Sequence, residues 1–375
     1  MVKELQFKGP YYTRYRLLRD QFCTFRYGAP WRRQMFSTGL GRPNSFVVRE
    51  SRKADLVHLH WVCKGFLPIE TLSKLEAPIV WTLRDMWPFT GGCHYDSGCN
   101  RYQAACGACP ILASNNELDL SRKIFVKKKQ EWRELNIVWV GISNWIAQQA
   151  RLSPIINGRE VHVIPNAIDT TLFQITEDSK SKRLNTFKEK KVVGFASYGA
   201  TKNTRKGFAL LVDALKILKA RKPNLNFELW IAGAEDAELR DIDFPTKGFG
   251  TIKANDKLVE FYSGLHAFVS ASIQEALGNS AIEATSCSVP CITFSNTGTA
   301  DVVDHARSGW LCNEYNPEAL SRGIEAVLGE KSTWERMSSQ ARNYATLRFS
   351  TSIVADKYLK LYEGIISKGT NPGLR

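Results

Sequence analysis

The chain has 375 residues, 43% of them hydrophobic and 23% charged, which is the composition of a globular protein long enough for two domains. No apolar run approaches the roughly 20 residues of a membrane span, and MVKELQFKGPYYTRYR has no apolar signal core, so a cytoplasmic protein is expected. The formal charge is +14: residues 1–170 carry 24 Lys/Arg against 14 Asp/Glu, and the remainder carries 27 against 23. Nucleic acid, an anionic membrane face or an acidic substrate would each suit that excess, as would a basic surface with no specific partner.

Residues 1–50 interleave aromatics (Tyr11, Tyr12, Tyr15, Phe22, Phe25, Tyr27, Trp31, Phe36) with Arg14, Arg16, Arg19, Arg26, Arg32 and Arg33. A helix through Tyr12–Phe25 is expected, packed by its aromatic face or gripping a membrane interface or lipid phosphate. Asp55–Trp61 (DLVHLHW) is the first clear strand, then a helix near Leu67–Leu75 and a strand Ile79–Leu83 that runs into Arg84 and Asp85. A cysteine-rich loop spans 91–110. Leu120–Glu134 reads as a strongly basic helix, Ile137–Ile142 as a strand, Asn144–Ala150 as a helix and Val161–Pro165 as a short strand. His58 and His60 alternate onto one face at the first strand's end, and His58 receives no role. Strands alternating with helices imply a parallel sheet.

The polar stretch 171–190 reads as a linker between a first domain, 1–170, and a second, 191–345. The second series begins with strand Lys191–Ser197, the loop Tyr198–Lys206 and helix Phe208–Ala220, and continues through strands Phe227–Ala232 and Thr246–Gly250 and helix Leu258–Ser263. Ala267–Phe294 then reads as strand, loop, helix, strand, with Gly278 the flexible point of the loop and Pro290 stopping the helix. Helices Glu318–Leu328 and Thr333–Arg348 follow, and residues 346–375 hold a final amphipathic helix expected to cross back to the first domain.

Three constellations carry chemistry. Glu275 and Glu283 are separated by seven residues around the loop and helix start, so both can look out past the carboxyl end of a strand, where open α/β sheets bind ligands. A carboxylate there accepts from vicinal sugar hydroxyls, and the backbone donors of Gly278, Asn279 and Ser280 suit a diphosphate. The bare spacing fits equally two solvated glutamates on a surface helix. Arg205 and Lys206, between a strand and a helix, can neutralise phosphates. Lastly, Cys93, Cys99, Cys106 and Cys109 offer four thiolates for a structural zinc, against reduced unliganded thiols or a redox or iron–sulfur role. Four protein ligands would leave no open position, so no catalytic metal is expected. Cys23, Cys63, Cys287, Cys291 and Cys312 read as buried thiols.

The sequence HLHW, TLRDMWPFTGGCHY, VIPNAID, RKG and the E-x7-E helix, in that order, resembles glycosyltransferase family 4 of the GT-B fold, and more narrowly its bacterial polysaccharide, colanic-acid-type branch. The resemblance runs from about Ala54 to Ile366. It implies two Rossmann-like domains facing across a cleft, and a retaining transfer of a sugar from a nucleotide-sugar donor to a glycan or lipid-diphosphate-linked acceptor. It also implies that Glu283 binds the donor ribose, Glu275 the transferred sugar, Arg205 and Lys206 the diphosphate, and Gly278, Asn279 and Ser280 the phosphate and sugar through their backbone. Arg84 and Asp85 stand where the family commonly has His-Asp. No Gly-rich loop follows a first strand, which raises a shortened N-terminal domain, and the Gly-Arg that often precedes RKG is absent. The implied location is cytoplasmic, peripheral on the inner face of an anionic membrane. Rival readings are a sugar-nucleotide epimerase of the same fold, a truncated inactive transferase, and a zinc-stapled nucleic-acid module, the last opposed by the E-x7-E helix context.

Overall fold

The computed structural model describes Leu18, Asp20 and residues 22–27, 34–156 and 158–369. Of the expected helix Tyr12–Phe25, Leu18, Asp20 and Phe22 are helical; Arg14, Arg16, Arg19, Arg32 and Arg33 lie outside the described residues. The chain divides into two compact units, one running to Ile164 and resuming at Leu359, the other spanning Pro165–Tyr358. Among the described residues, no helix is long and apolar enough to cross a membrane.

The first unit holds a parallel sheet of β1 (Val57–Leu59), β2 (Ile79–Leu83), β3 (Ile137–Gly141) and β4 (Val161–Val163) in that spatial order. Every residue of β2 is buried, as a central parallel strand covered on both faces requires. Its core is aromatic: Trp81 stacks on Trp139 with ring centroids 5.3 Å apart and meets Trp132 edge-on at 5.1 Å.

The helix Leu120–Glu131 supplies the surprise of this unit. Its sequence, with its lysine run, reads as a strongly basic helix, yet Lys128 is fully buried. Its ammonium lies 3.6 Å from the Trp87 ring centroid and donates to the Thr90 carbonyl at 3.0 Å and to the Trp87 carbonyl. Burial pushes its pKa down to about 7. Lys127 is tied to Glu70, so two of the three lysines of the run face protein groups. The ammonium thereby anchors the segment Trp87–Thr90 that follows β2.

The second unit holds a six-stranded sheet in the order β10-β9-β8-β5-β6-β7. Its strands are β5 (Lys191–Ala196), β6 (Phe227–Ala232), β7 (Thr246–Gly248), β8 (Ala267–Ser270), β9 (Cys291–Phe294) and β10 (Gly309–Cys312), each pair parallel. Chain order runs outward from β5 on one side and returns through β8 on the other. The adjacent pair β5 and β8 is therefore the topological switch point, whose carboxyl ends leave room for a ligand. β10 has no counterpart in the sequence reading, since GWLC is too short for its alternation to stand out.

The stretch expected as a bare linker contains a helix, Glu177–Glu189, capped by the Thr176 side chain. Only Arg183 and Phe187 of its thirteen residues are buried, so its composition reads as polar. Phe187 stacks on Trp334 at 4.7 Å, and the Arg183 guanidinium donates to the carbonyls of Leu265, Cys287 and Ser288.

Gly207 ends the loop after β5 in a left-handed conformation, φ +73°, and a Cβ there would sit 1.9 Å from the Ala271 carbonyl oxygen. Gly207→Ala should therefore lower unfolding free energy by about 2 kcal/mol or more, read from urea denaturation. An unchanged midpoint would mean that the two loops are not in contact.

Candidate functional site

Two loops at the switch point are tied into one structure. The Ile273 N–H after β8 donates to the Arg205 carbonyl after β5 at 2.8 Å, and the Arg205 guanidinium returns a bond to the Gln274 carbonyl. Glu275 Oε2 then accepts from Lys206 and lies 3.4 Å from Arg205 Nη1. The glutamate is only 9% exposed. Burial alone would push its carboxyl up, but Lys206 and Arg205 overcome that and hold its pKa below the ordinary 4.5. The two motifs found separately in the sequence are thus one ion-paired cluster.

The helix Asn279–Ser286 starts immediately after this loop. Gly278 before it has φ +87°, and no side chain caps the helix. A Cβ at Gly278 would meet Thr299 Oγ1 at 2.8 Å, so both conformation and space demand glycine. The uncapped first turn, at Asn279 and Ser280, keeps the backbone-donor character expected of an anion seat. Asn279 Oδ1 accepts from Asn166 at 2.8 Å. Gly298 donates its N–H to the Glu275 carbonyl at 2.8 Å, bracing the loop from the 3-10 turn Gly298–Val302.

Glu283 stands on the second turn of this helix. Its Oε2 accepts from the Tyr262 hydroxyl at 2.7 Å. Burial raises the Glu283 pKa, and the Tyr262 bond only partly offsets it. Among the described residues, Oε1 of Glu283 and Oε1 of Glu275 accept no hydrogen bond, whereas each Oε2 is engaged. Each carboxylate is thus anchored by one oxygen and presents the other. Tyr262 and Gly298 escaped sequence reading: a tyrosine in an apolar helix and a glycine in a polar loop carry no signal until their partners are seen.

Arg84 and Asp85 follow β2 in the other unit. Arg84 is exposed, with Nη2 3.3 Å from His60 Nδ1. Asp85, expected among the catalytic groups, is buried with both oxygens engaged. Its Oδ1 accepts from the Trp87 N–H at 2.9 Å, and Oδ2 accepts from Trp61 Nε1 at 2.9 Å and meets His94 Nδ1 at 2.6 Å. His94 Nε2 lies 3.1 Å from Ser37 Oγ. The chain Ser37–His94–Asp85 has the connectivity of a hydrolase triad, but Ser37 is 1% exposed and cannot meet a substrate. Its effect is to position: it fixes the Trp61 indole from behind. His58, given no role from the sequence, bonds Thr82 Oγ1 at 2.8 Å and Tyr362 of the last helix, Thr351–Gly369, at 2.5 Å.

Cys93, Cys99, Cys106 and Cys109 line one small cavity, as their spacing suggested. Among the described residues no group of three or more His, Cys, Asp or Glu is placed to hold a metal ion. Burial raises all four thiol pKa values, and Cys106 Sγ already accepts the Gly91 N–H at 3.2 Å.

The lowered Glu275 pKa fixes a pH signature. The ion pairs stabilise the fold above the ordinary glutamate value near 4.5, and that stabilisation is lost as pH falls through the lower folded value. Glu275→Gln should cost on the order of 2–3 kcal/mol at pH 7, less than a fully buried pair because the two cations keep partial exposure. Urea melts of both proteins should converge as pH falls through the lowered folded value of Glu275, where its carboxyl becomes uncharged. A constant difference across that range would contradict the pairing.

Residues 176–344 match the family profile described as Glycosyl transferases group 1, which covers the second unit and its switch-point cluster. The capsular polysaccharide biosynthesis glycosyltransferase CapM of Staphylococcus aureus is 26% identical over 170 residues, 44% of each chain. The chain spans about half the length of the curated relatives it matches first. Among solved structures, sucrose-phosphate synthase from Thermosynechococcus elongatus aligns with TM-score 0.62 at 17% identity, covering 86% of this chain and 77% of that one. HepE of Anabaena, solved in complex with UDP-glucose, aligns with TM-score 0.57 at 17% identity, covering 85% and 81%. The fold is GT-B, with two Rossmann-like parallel sheets, and the second unit is similar to the group 1 glycosyl transferases.

Proposed function

We propose that the protein is a retaining glycosyltransferase of the family 4, colanic-acid-related kind. It moves a sugar from a nucleotide-sugar donor to a glycan or lipid-linked acceptor in surface polysaccharide assembly. The observation that carries this reading is the half-anchored Glu275 beside two cations at the β5/β8 switch point, with the half-anchored Glu283 on the helix that follows. Glu283 Oε1 accepts the donor ribose hydroxyls, and Glu275 Oε1 accepts hydroxyls of the transferred sugar. Lys206 and Arg205, held at Glu275, face the diphosphate, which gathers negative charge as its bond to the sugar breaks. The first turn of helix Asn279–Ser286 adds its dipole and backbone donors to the same charge. The cations are in place before the donor arrives, so little reorganisation is needed at the moment of reaction. HepE, with UDP-glucose on the same fold, supports a nucleotide-sugar donor, and CapM supports a polysaccharide product.

Glu283 separates function from stability. Its pKa is raised, so the folded protein bears a cost for the charged form at neutral pH that lessens on acidification. Glu283→Gln removes that charge and keeps an oxygen for Tyr262. It should raise the melting temperature at pH 7.5, yet weaken UDP, GDP or ADP binding by about tenfold or more in calorimetry, a charged hydrogen bond being worth ~1.5–3 kcal/mol. Nucleotide affinity unchanged from wild type would remove the donor assignment. Donor hydrolysis followed by proton NMR should release the sugar first in the donor's own anomeric form; the opposite anomer first would exclude retention.

A further inference from the structure

Trp61 is 40% exposed at the end of the segment that follows β1. An exposed indole normally turns freely; this one is fixed, because its Nε1–H donates to the buried Asp85, itself held by His94 and the Trp87 N–H. Lys64 lies 5.7 Å from the Trp61 ring centroid, on a backbone with φ 53° whose N–H donates to Ser37 Oγ at 3.4 Å. Ser37 thus serves both the indole support and the lysine turn. Arg84 stands beside Asp85 at the carboxyl end of β2, the neighbour of β1, and its guanidinium is exposed next to His60. The arrangement is a fixed, half-exposed indole, its ring 5.9 Å from His94 and 5.7 Å from the Lys64 ammonium, with the exposed Arg84 at the neighbouring strand end. It suits a ligand with an apolar C–H face and a negative charge on its rim.

We infer that Trp61, Lys64 and Arg84 seat an anionic sugar ring, one bearing a carboxylate or a phosphate. The axial C–H bonds of a pyranose lie against the indole, whose negative face attracts their partial positive charge. Lys64 and Arg84 take the anionic substituent, Arg84 by its planar fork. Asp85, His94 and Ser37 are positioning residues that hold the platform. Naming this sugar the acceptor rests on the transferase reading; its binding to Trp61 does not.

Saturation-transfer NMR with glucuronate, glucose 6-phosphate and neutral glucose reads the seat directly. Wild-type protein should transfer saturation to ring protons of at least one anionic sugar and bind it about tenfold more tightly than glucose, and the stronger of the two names the charge source. Trp61→Ala should weaken that binding about tenfold, whereas Trp61→Phe, which keeps a face, should stay within about threefold. Lys64→Ala with Arg84→Ala should erase the preference over glucose. Circular dichroism and nucleoside diphosphate binding serve as folding controls, since the nucleotide cluster lies in the other unit. Equal binding by wild type and a folded Trp61→Ala protein would overturn the seat, and so would glucose binding as well as the anionic sugars. Sugar binding lost with Trp61 in a protein that binds no nucleotide would uphold the seat while the transferase reading fails.

Discussion

The ion pair of Glu275 with Lys206 and Arg205 is the constraint on which the arrangement of the second unit's switch point depends. It closes the loops after β5 and β8 on each other at the one place where strand order reverses. A carboxylate this buried is tolerable only with compensation, and two cations supply it. The cations in turn would repel each other without it. Each partner therefore holds the others in place. Gly207, Gly278 and Gly298 let the backbone come close enough for this to happen, each at a spot where a Cβ would collide.

The first unit works by a different device. Its polar groups at the carboxyl ends of β1 and β2 are supported from within, by the buried line Ser37–His94–Asp85 and by Lys128 under the segment that follows β2. Asp85 has both oxygens engaged, by Trp61, His94 and the Trp87 N–H. What this support presents is an indole and two cations. The basic excess of the first half of the chain is thus partly structural, in Lys127 and Lys128, and partly displayed, in Lys64 and Arg84.

Much of this was legible in the sequence, for physical reasons. Strands β2, β6 and β9 are mostly apolar runs, and their bounds stand as read. Arg205, Lys206 and Glu275 stood out because each follows a strand, and Glu283 because it lies on the helix after the same loop. What stayed hidden depends on partners distant in sequence. A helix with two buried residues in thirteen, Glu177–Glu189, has too little apolar signal to stand out from a polar stretch. Lys128 inside a lysine run looks solvated until the Trp87 ring lies over it. Tyr262 gains meaning only from Glu283, and Trp61 only from Asp85. The four cysteines line one small cavity, and their partners there, Gly91 among them, carry no signal in the spacing.

The central claim is that the switch-point cluster holds a nucleotide-sugar. The most direct measurement is the melting temperature of wild-type and Lys206→Ala protein across a panel of UDP-, GDP- and ADP-sugars. One donor should raise the wild-type melting temperature by about 5 °C at a hundredfold excess over its Kd, and the Lys206→Ala protein should lose that shift. No shift with any donor, or the same shift in both proteins, would contradict it.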